Sequence, residues 1–548
     1  MVKNCKKCGV EFEVTDKDLK FLEKFSEVLV CSDCSKKSHF CLRNERTLYN
    51  RKCDATGENM VSTFPQNSPY KVYKSEFWHG DGWNALDYGK DFDFSKSFFE
   101  QFNELKLVVP KFNLFSVQNE NSDYCNVTVQ NKNCYLLFGG DFNQDTQYGT
   151  LCFYNENCLD IDYSEKNKEC YFMNDCGSLY ACQYAFDCEN CHDCAYISDC
   201  TGCNDCILCT NLVRKSYCIL NKQYSRQEYF EKKKYLLNGS YKQRQENWNN
   251  FLKLRDDRIV KASHMISCEN CSGDYLKNSR NCKMVFDGFN IEDVSNSFLA
   301  IGVKDGFYSD YTGHGSELVY DTMTVVGSQN VSHSFSAVNC SELLYCDTVF
   351  SCRNCFGCTG LKNKQYCILN KQYSKEEYEI LKAKIIEHMI KTGEWGQFFP
   401  ASISCFGYNE STANLYYPLS KEEAIFQGFK WVEINEKPYQ GEKVILAKGL
   451  PDDIKDVSED ILNMPIECEK SKKLFKITPM EFDFYKKYNL PIPRLHSEER
   501  HSLRLAMRNP KILWKRNCMK CGKDIETSYA LEKKEKVYCE ECYLKEIY

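Results

Sequence analysis

Six cysteines, Cys158, Cys170, Cys182, Cys194, Cys206 and Cys218, follow one another at intervals of twelve residues without exception. A fixed period means one structural unit stacked on itself, with each side chain roughly 4.8 Å above the last, as in neighbouring parallel strands. The spacing therefore predicts a parallel β-solenoid in the middle of the chain. Two places after each leading cysteine from Cys170 stand Phe172, Tyr184, Tyr196, Leu208 and Leu220. Alternation at i and i+2 is strand behaviour, so both columns are expected to face inward. A third column, Cys176, Cys188 and Cys200, lies half a period on and is expected across the interior. A coil of about 24 residues holding two such units fits nearly as well.

The array then recurs. RKSYCILNKQYSRQEY at Arg214 returns as NKQYCILNKQYSKEEY at Asn363, an offset of 149 that also carries Cys203, Cys206 and Cys209 onto Cys352, Cys355 and Cys358. Carried back along the leading column, the offset turns Cys158, Cys170, Cys182 and Cys194 into Phe307, Val319, Val331 and Leu343. Valine and leucine hold no metal, whereas a reduced cysteine behaves as a small buried hydrophobe, so core packing is favoured over a metal or redox ladder. Asp175, Asp187 and Asp199 form another column whose counterparts are Thr324, Ser336 and Thr348, which favours turn capping over a calcium or catalytic site. Each array ends at a capping box, Ser225 with Glu228 and Ser374 with Glu377, and Gly239 and Gly393 are expected to close the helices that follow.

The chain carries 36 cysteines. It opens without an apolar signal core and has no stretch near the roughly 20 apolar residues of a membrane span, so a cytoplasmic location is expected. Thiols stay reduced there, and the cysteines are then metal ligands or core fillers before they are disulfides. Cys5, Cys8, Cys31 and Cys34 make two Cys-x-x-Cys pairs at one end, and Cys518, Cys521, Cys539 and Cys542 make two at the other. Four thiolates so spaced suit a closed structural zinc site, with redox-active dithiols as the alternative. The ends also align. Arg43, Asn44, Leu48, Arg51 and Cys53 match Arg508, Asn509, Leu513, Arg516 and Cys518 at an offset of 465, and Phe12 onward matches Phe475 onward at 463. Through that alignment the first cluster becomes Cys468, Ser471, His496 and Glu499, and the second becomes Cys53, Thr56, Lys74 and Phe77. Each copy of an ancestral two-site module has kept one site, and Cys468, His496 and Glu499 are not expected to bind metal.

The run CKKCGVEFEVTDKDLKFLEKF followed by CSDC resembles a bacterial family described as a probable zinc-ribbon domain. With YKVYKSEFWHGDGWNALDYGKDFDF, LKNKQYCILNKQYSKEEY, LPDDIKDV and RNPKILWKRNCMKCG, nearly the whole chain resembles a cysteine-rich zinc-ribbon family of candidate-phyla (Patescibacteria-type) bacteria. That family carries no established activity, so the resemblance implies a fold and zinc rather than a function. Relatives labelled acyl-CoA transferases find no supporting residues here.

Between Lys470 and Lys523 fifteen basic residues stand against four acidic ones, in a chain whose net charge is −6. Arg500, Arg504 and Arg508 recur every four residues, and Lys511, Lys515 and Arg516 follow. A helix here would carry a basic stripe suited to nucleic acid or a ribonucleoprotein. The plain alternative is that these charges neutralise the acidic array within the same molecule. A β-helix enzyme acting on polysaccharide has only the Asp column to offer, and no nucleophile motif is present. A protein-interaction platform is the remaining reading.

The expected fold is mainly β: a cysteine-rich parallel β-solenoid in two duplicated arrays with helical caps, bracketed by homologous zinc-ribbon (α+β) modules. The expected divisions are 1–100 and 467–548 for the modules, 118–224 and 265–373 for the arrays, 225–262 and 374–398 for helices, and 400–466 for an extended linker. The function expected is that of a non-enzymatic zinc-binding scaffold or binding protein.

Overall fold

The computed structural model describes residues 2–14, 19, 30–433, 441 and 443–548. Much of the segment at 12–25 paired above with 475–488 lies outside them, as does part of 400–466.

The chain is mainly β, dominated by two stacks of parallel strands. The first runs from Tyr135–Phe138 to the hairpin Ser216–Ile219 with Lys222–Gln223 and contains nine strands. Its register is constant: Tyr171 pairs with Gln183, Gln183 with Ala195 and Ala195 with Ile207, twelve residues each time. The second, of fifteen strands, ends on the matching hairpin Gln365–Ile368 with Lys371–Gln372. There the strands Gly273–Arg280 and Glu317–Val326 bend, each giving one end to one neighbour and its other end to a second. The pairings thereby close into a ring of seven parallel strands.

What turns the chain is a period of three. From Phe142 to Tyr217 every third residue, Gly202 included, has φ between 48° and 65°, the left-handed region. Such a residue costs roughly 1–2 kcal/mol for anything but glycine, and Asn and Asp bear it best. Asp145, Asn157, Asp160, Asp175, Asp187, Asn190, Asp193 and Asp199 all occupy these positions. The strain is offset by ladder hydrogen bonds in both directions: Asp175 sits in a strand paired on each side, and Ser178 N–H reaches Glu165 O at 3.1 Å.

The residue after each turning residue points inward. Cys158, Cys170, Cys182, Cys194, Cys206 and Cys218 share one buried core with Cys176, Cys188 and Cys200, as expected. The other expected inward column does not. Phe172, Tyr184, Tyr196, Leu208 and Leu220 are themselves turning residues with φ of 52–56°. The first four pack outside the thiol core, against Trp248 and Phe251 of the helix Tyr241–Asp256 and the residues around them, while Leu220 is exposed. The i, i+2 reading fails because the left-handed residue redirects its own side chain outward.

A second correction concerns the offset. In the second stack Gly306 pairs with Val319, thirteen residues on, so one residue is inserted between them. Gly306, not Phe307, is the inward position; Phe307 packs with Val14, Tyr308 and Tyr320. Val319, Val331 and Leu343 are inward and fully buried.

Both capping boxes form, and Tyr229 and Tyr378 of the two helices bury their rings 5.7 Å from Tyr217 and Tyr366. Gly393 closes its helix at φ 75° as expected. Gly239 does something else: a Cβ there would meet Asp453 Oδ1 at 2.4 Å and Asn489 Oδ1 at 2.8 Å, so it is a point of close approach.

Candidate metal centres

Each cysteine cluster begins with a knuckle. Cys5 N–H donates to Val10 O and Gly9 N–H returns to Cys5 O, both at 2.9 Å; Cys518 with Lys523 and Gly522 repeats this at 2.8 and 2.9 Å. Gly9 and Gly522 have φ of 74° and 77°, which this turn requires. The third cysteine caps the N-terminus of a helix, Cys31 for Ser32–Phe40 and Cys539 for Glu540–Ile547. Its backbone N–H donates to the first sulphur, Cys31 to Cys5 Sγ at 3.3 Å and Cys539 to Cys518 Sγ at 3.2 Å.

The four sulphurs of each cluster lie within 4.8 Å of one another. Cys8 and Cys31 are 3.7 Å apart and Cys521 and Cys539 3.8 Å. A tetrahedral ion with metal–sulphur bonds of about 2.3 Å has edges of about 3.8 Å, so the donor sets fit one. A hydrogen bond from the Cys34 thiol, against burial and aided by the Cys34 N–H, lowers Cys31 to about 5. Burial works against ionisation of Cys518, but N–H groups of Cys539, Cys521 and Lys520 lower it to about 6. Such thiols meet a metal as thiolates.

The same knuckle occurs twice more without a full ligand set. Cys53 N–H donates to Glu58 O and Cys468 N–H to Lys473 O, with Gly57 and Lys472 at the left-handed position. Lys74 and His496 cap the following helices, and their N–H groups reach Cys53 Sγ and Cys468 Sγ, both at 3.3 Å. These are the positions the end-to-end alignment assigns to lost ligands. Among the described residues Cys468, His496 and Glu499 do not gather as ligands. His496 Nδ1 accepts from Glu498 N–H, and Glu499 pairs with Lys470.

The basic helix is placed against expectation. Arg500 and Arg504 are 3% and 1% exposed. Arg504 donates to Asp160 and Asp162 at 2.7 Å each, and Arg500 pairs with Asp160 at 2.8 Å and Glu481 at 3.4 Å. Arg508 bridges the stacks, joining Asp175 of the first at 2.8 Å to Asp287 of the second at 2.5 Å, with its guanidinium 3.7 Å from the Tyr163 ring. Lys511 lies over the rings of Phe298 and Tyr416 at 4.2 and 3.8 Å, and burial lowers it to about 7. Arg516 holds the Tyr529 and Ala530 carbonyls, so of the six only Lys515 is exposed. The carboxylates of the strands take Arg500, Arg504 and Arg508 inward, as the alternative of internal neutralisation expects of these three side chains.

The N-terminal helix docks in the same manner on the other stack. His39, fully buried, sits between Asp310 at 2.7 Å and Asp321 at 2.9 Å. Burial opposes its charge, yet those two carboxylates raise it to about 9. Arg43 stacks on Tyr311 at 4.2 Å as its counterpart Arg508 does on Tyr163. Sequence reasoning missed His39, although the offset of 465 places it opposite Arg504.

The Asp column takes part in ion pairs. Besides Asp175 with Arg508, Asp199 pairs with Arg258 at 2.6 Å, and Asp187 accepts from Tyr275 OH at 2.7 Å. Asp187, Asp199 and His264 also converge within 4.8 Å. Arg258 and Arg255 already bring positive charge to this group.

No protein-family model matches the chain, and no curated protein matches it. The family resemblance therefore rests on its sequence motifs and on the two four-cysteine clusters.

Proposed function

We propose that this chain is a non-enzymatic, zinc-loaded scaffold of the cytoplasm. In this reading the two stacks are the arrays of a duplicated β-solenoid of twelve-residue coils, and the ends are zinc-ribbon modules that clamp them. The inward turn of Arg500, Arg504 and Arg508 onto strand carboxylates carries the reading, because it spends the basic segment on internal cohesion. Zinc is favoured by four-thiolate sets with edges near 3.8 Å and by closed sites that leave no position for a reacting water. The constant register of twelve in the first stack, its return before the end of the second, and the two end hairpins of the same register support the solenoid.

The scaffold's partners are proteins, met on the long faces of the stacks, rather than nucleic acid. Binding of zinc-loaded protein to generic RNA and DNA across a salt series tests this. Weak binding with a shallow salt slope is expected. Tight binding that falls steeply with salt would overturn it and return the search to phosphate contacts.

A further inference from the structure

The inner faces of the two stacks differ at most positions, yet five thiols recur at one place. Cys191, Cys203, Cys206, Cys209 and Cys218 return at the offset of 149 as Cys340, Cys352, Cys355, Cys358 and Cys367. Elsewhere Cys182, Cys188, Cys194 and Cys200 have become Val331, Ala337, Leu343 and Val349. A side chain needed only to fill space is free to change in this way, and the ten retained thiols did not. All are 4% exposed or less and lie in the last turns of each stack, Cys218 and Cys367 in the first strands of the end hairpins.

Their geometry selects a metal class. Cys206 stands opposite Cys218 and Cys355 opposite Cys367 across adjacent strands. Cys203 has the Cys191, Cys200 and Cys206 thiols as neighbours, and Cys355 has Cys352, Cys358 and Cys367, while both donate to backbone carbonyls, Cys203 to Leu212 O at 3.3 Å and Cys355 to Arg353 O at 3.4 Å. Among the described residues none of these thiols belongs to a group of three ligands within 4.8 Å, so a tetrahedral zinc site is not built here. Stacked strands are about 4.8 Å apart, and two metal–thiolate bonds of about 2.3 Å in line span about 4.6 Å. That is the span of linear two-coordinate ligation, and soft thiolates select copper(I).

We propose that Cys191 with Cys203, Cys206 with Cys218, Cys340 with Cys352, and Cys355 with Cys367 are four linear copper(I) sites inside the stacks. Binding forms two metal–sulphur bonds, releases two thiol protons and involves no electron transfer. The one remaining negative charge is met by nearby donors: Cys352 N–H already reaches Cys340 Sγ at 3.3 Å.

The test is anaerobic titration of the zinc-loaded full chain with copper(I), competed by a copper(I) chelator, with released zinc followed by a separate indicator. Retention of about four copper ions without zinc loss is expected. C203S with C206S should halve retention, and so should C352S with C355S. Serine is suited to these positions, since Ser309 and Ser334 already face inward in the second stack. Unchanged circular dichroism shows that both variants are folded. Refolding from denaturant with copper(I) present removes the closed interior as a reason for failure. Uptake matched by zinc release, uptake unaffected by both variants, or no uptake after such refolding would each overturn the proposal.

Discussion

The two strand stacks share a backbone and differ in what fills them. The first is lined by thiols and by a ladder of Asn131, Asn143, Asn155 and Asn167, each about 1% exposed. Asn155 donates to Asn143 Oδ1 at 2.9 Å and to Ser164 O at 3.1 Å, while its own Oδ1 accepts from Asn167 N–H at 3.0 Å. The second is lined by valines, alanines and serines over much of its length and by thiols mainly from Cys340 to Cys367, with Ser309 Oγ and Ser334 Oγ bonded to backbone carbonyls. A narrow interior thus accepts any side chain that is small and either apolar or fully hydrogen-bonded; shape is set by the period of left-handed residues. The docked helices differ in a parallel way. The first stack is held by arginines on a helix whose knuckle lacks a full four-cysteine set, the second by a histidine on a helix that begins at Cys31 of a complete one.

Metal removal should separate the two ends most strongly, since structural zinc binding is worth on the order of 10 kcal/mol. A strong chelator is expected to release Ser32–Phe40 from the second stack and leave Ser497–Leu505 on the first. Hydrogen exchange reads this directly, and equal loss of protection in both helices would break the comparison. Next in size is Arg504→Ala, which takes one partner from each of two buried aspartates, leaving Asp160 to Arg500 and Asp162 to His501, and should cost about 3 kcal/mol in denaturant unfolding. Arg516→Ala, whose partners are loop carbonyls, should cost about 1 kcal/mol.

His39 should make the second docking depend on pH. Its folded pKa is raised to about 9 from an ordinary value of about 6.5. The stabilisation is therefore complete below about pH 6.5 and fades as pH rises through about 9, amounting to roughly 3 kcal/mol. The stability gap between the native chain and His39→Gln should close over that window; a gap independent of pH would show that His39 docks uncharged. The smallest contrast is within the first stack. Asn155→Ala breaks the ladder and is expected to cost about 1–3 kcal/mol, while Cys182→Val, the residue its counterpart Val331 already is, should cost less than about 1.5 kcal/mol. Equal effects would mean that the ladder stabilises no more than packing does.

Much of this was legible because exact spacing survives translation into structure. Twelve-residue spacing announced the register, two Cys-x-x-Cys pairs announced each cluster, and the end-to-end alignment found four knuckles, two of them without a full ligand set. The period of three was also legible, in Asp and Asn recurring at multiples of three, but it was masked by aromatics such as Phe172 and Tyr184 that look like strand residues. The Asn ladder at twelve-residue spacing was equally visible and passed over, since a buried asparagine announces itself only when its partners are known.

By itself the sequence determined the strand spacing, the metal donor sets and the cap positions, because each depends on residues close in the chain or repeated at a fixed interval. Tertiary structure decided the fate of the charges. Arg504 meets Asp160 and Asp162 across more than 340 residues, and His39 meets Asp310 across 271. A basic stripe facing solvent and one facing buried carboxylates have the same local sequence, and only the burial of the opposing charges tells them apart.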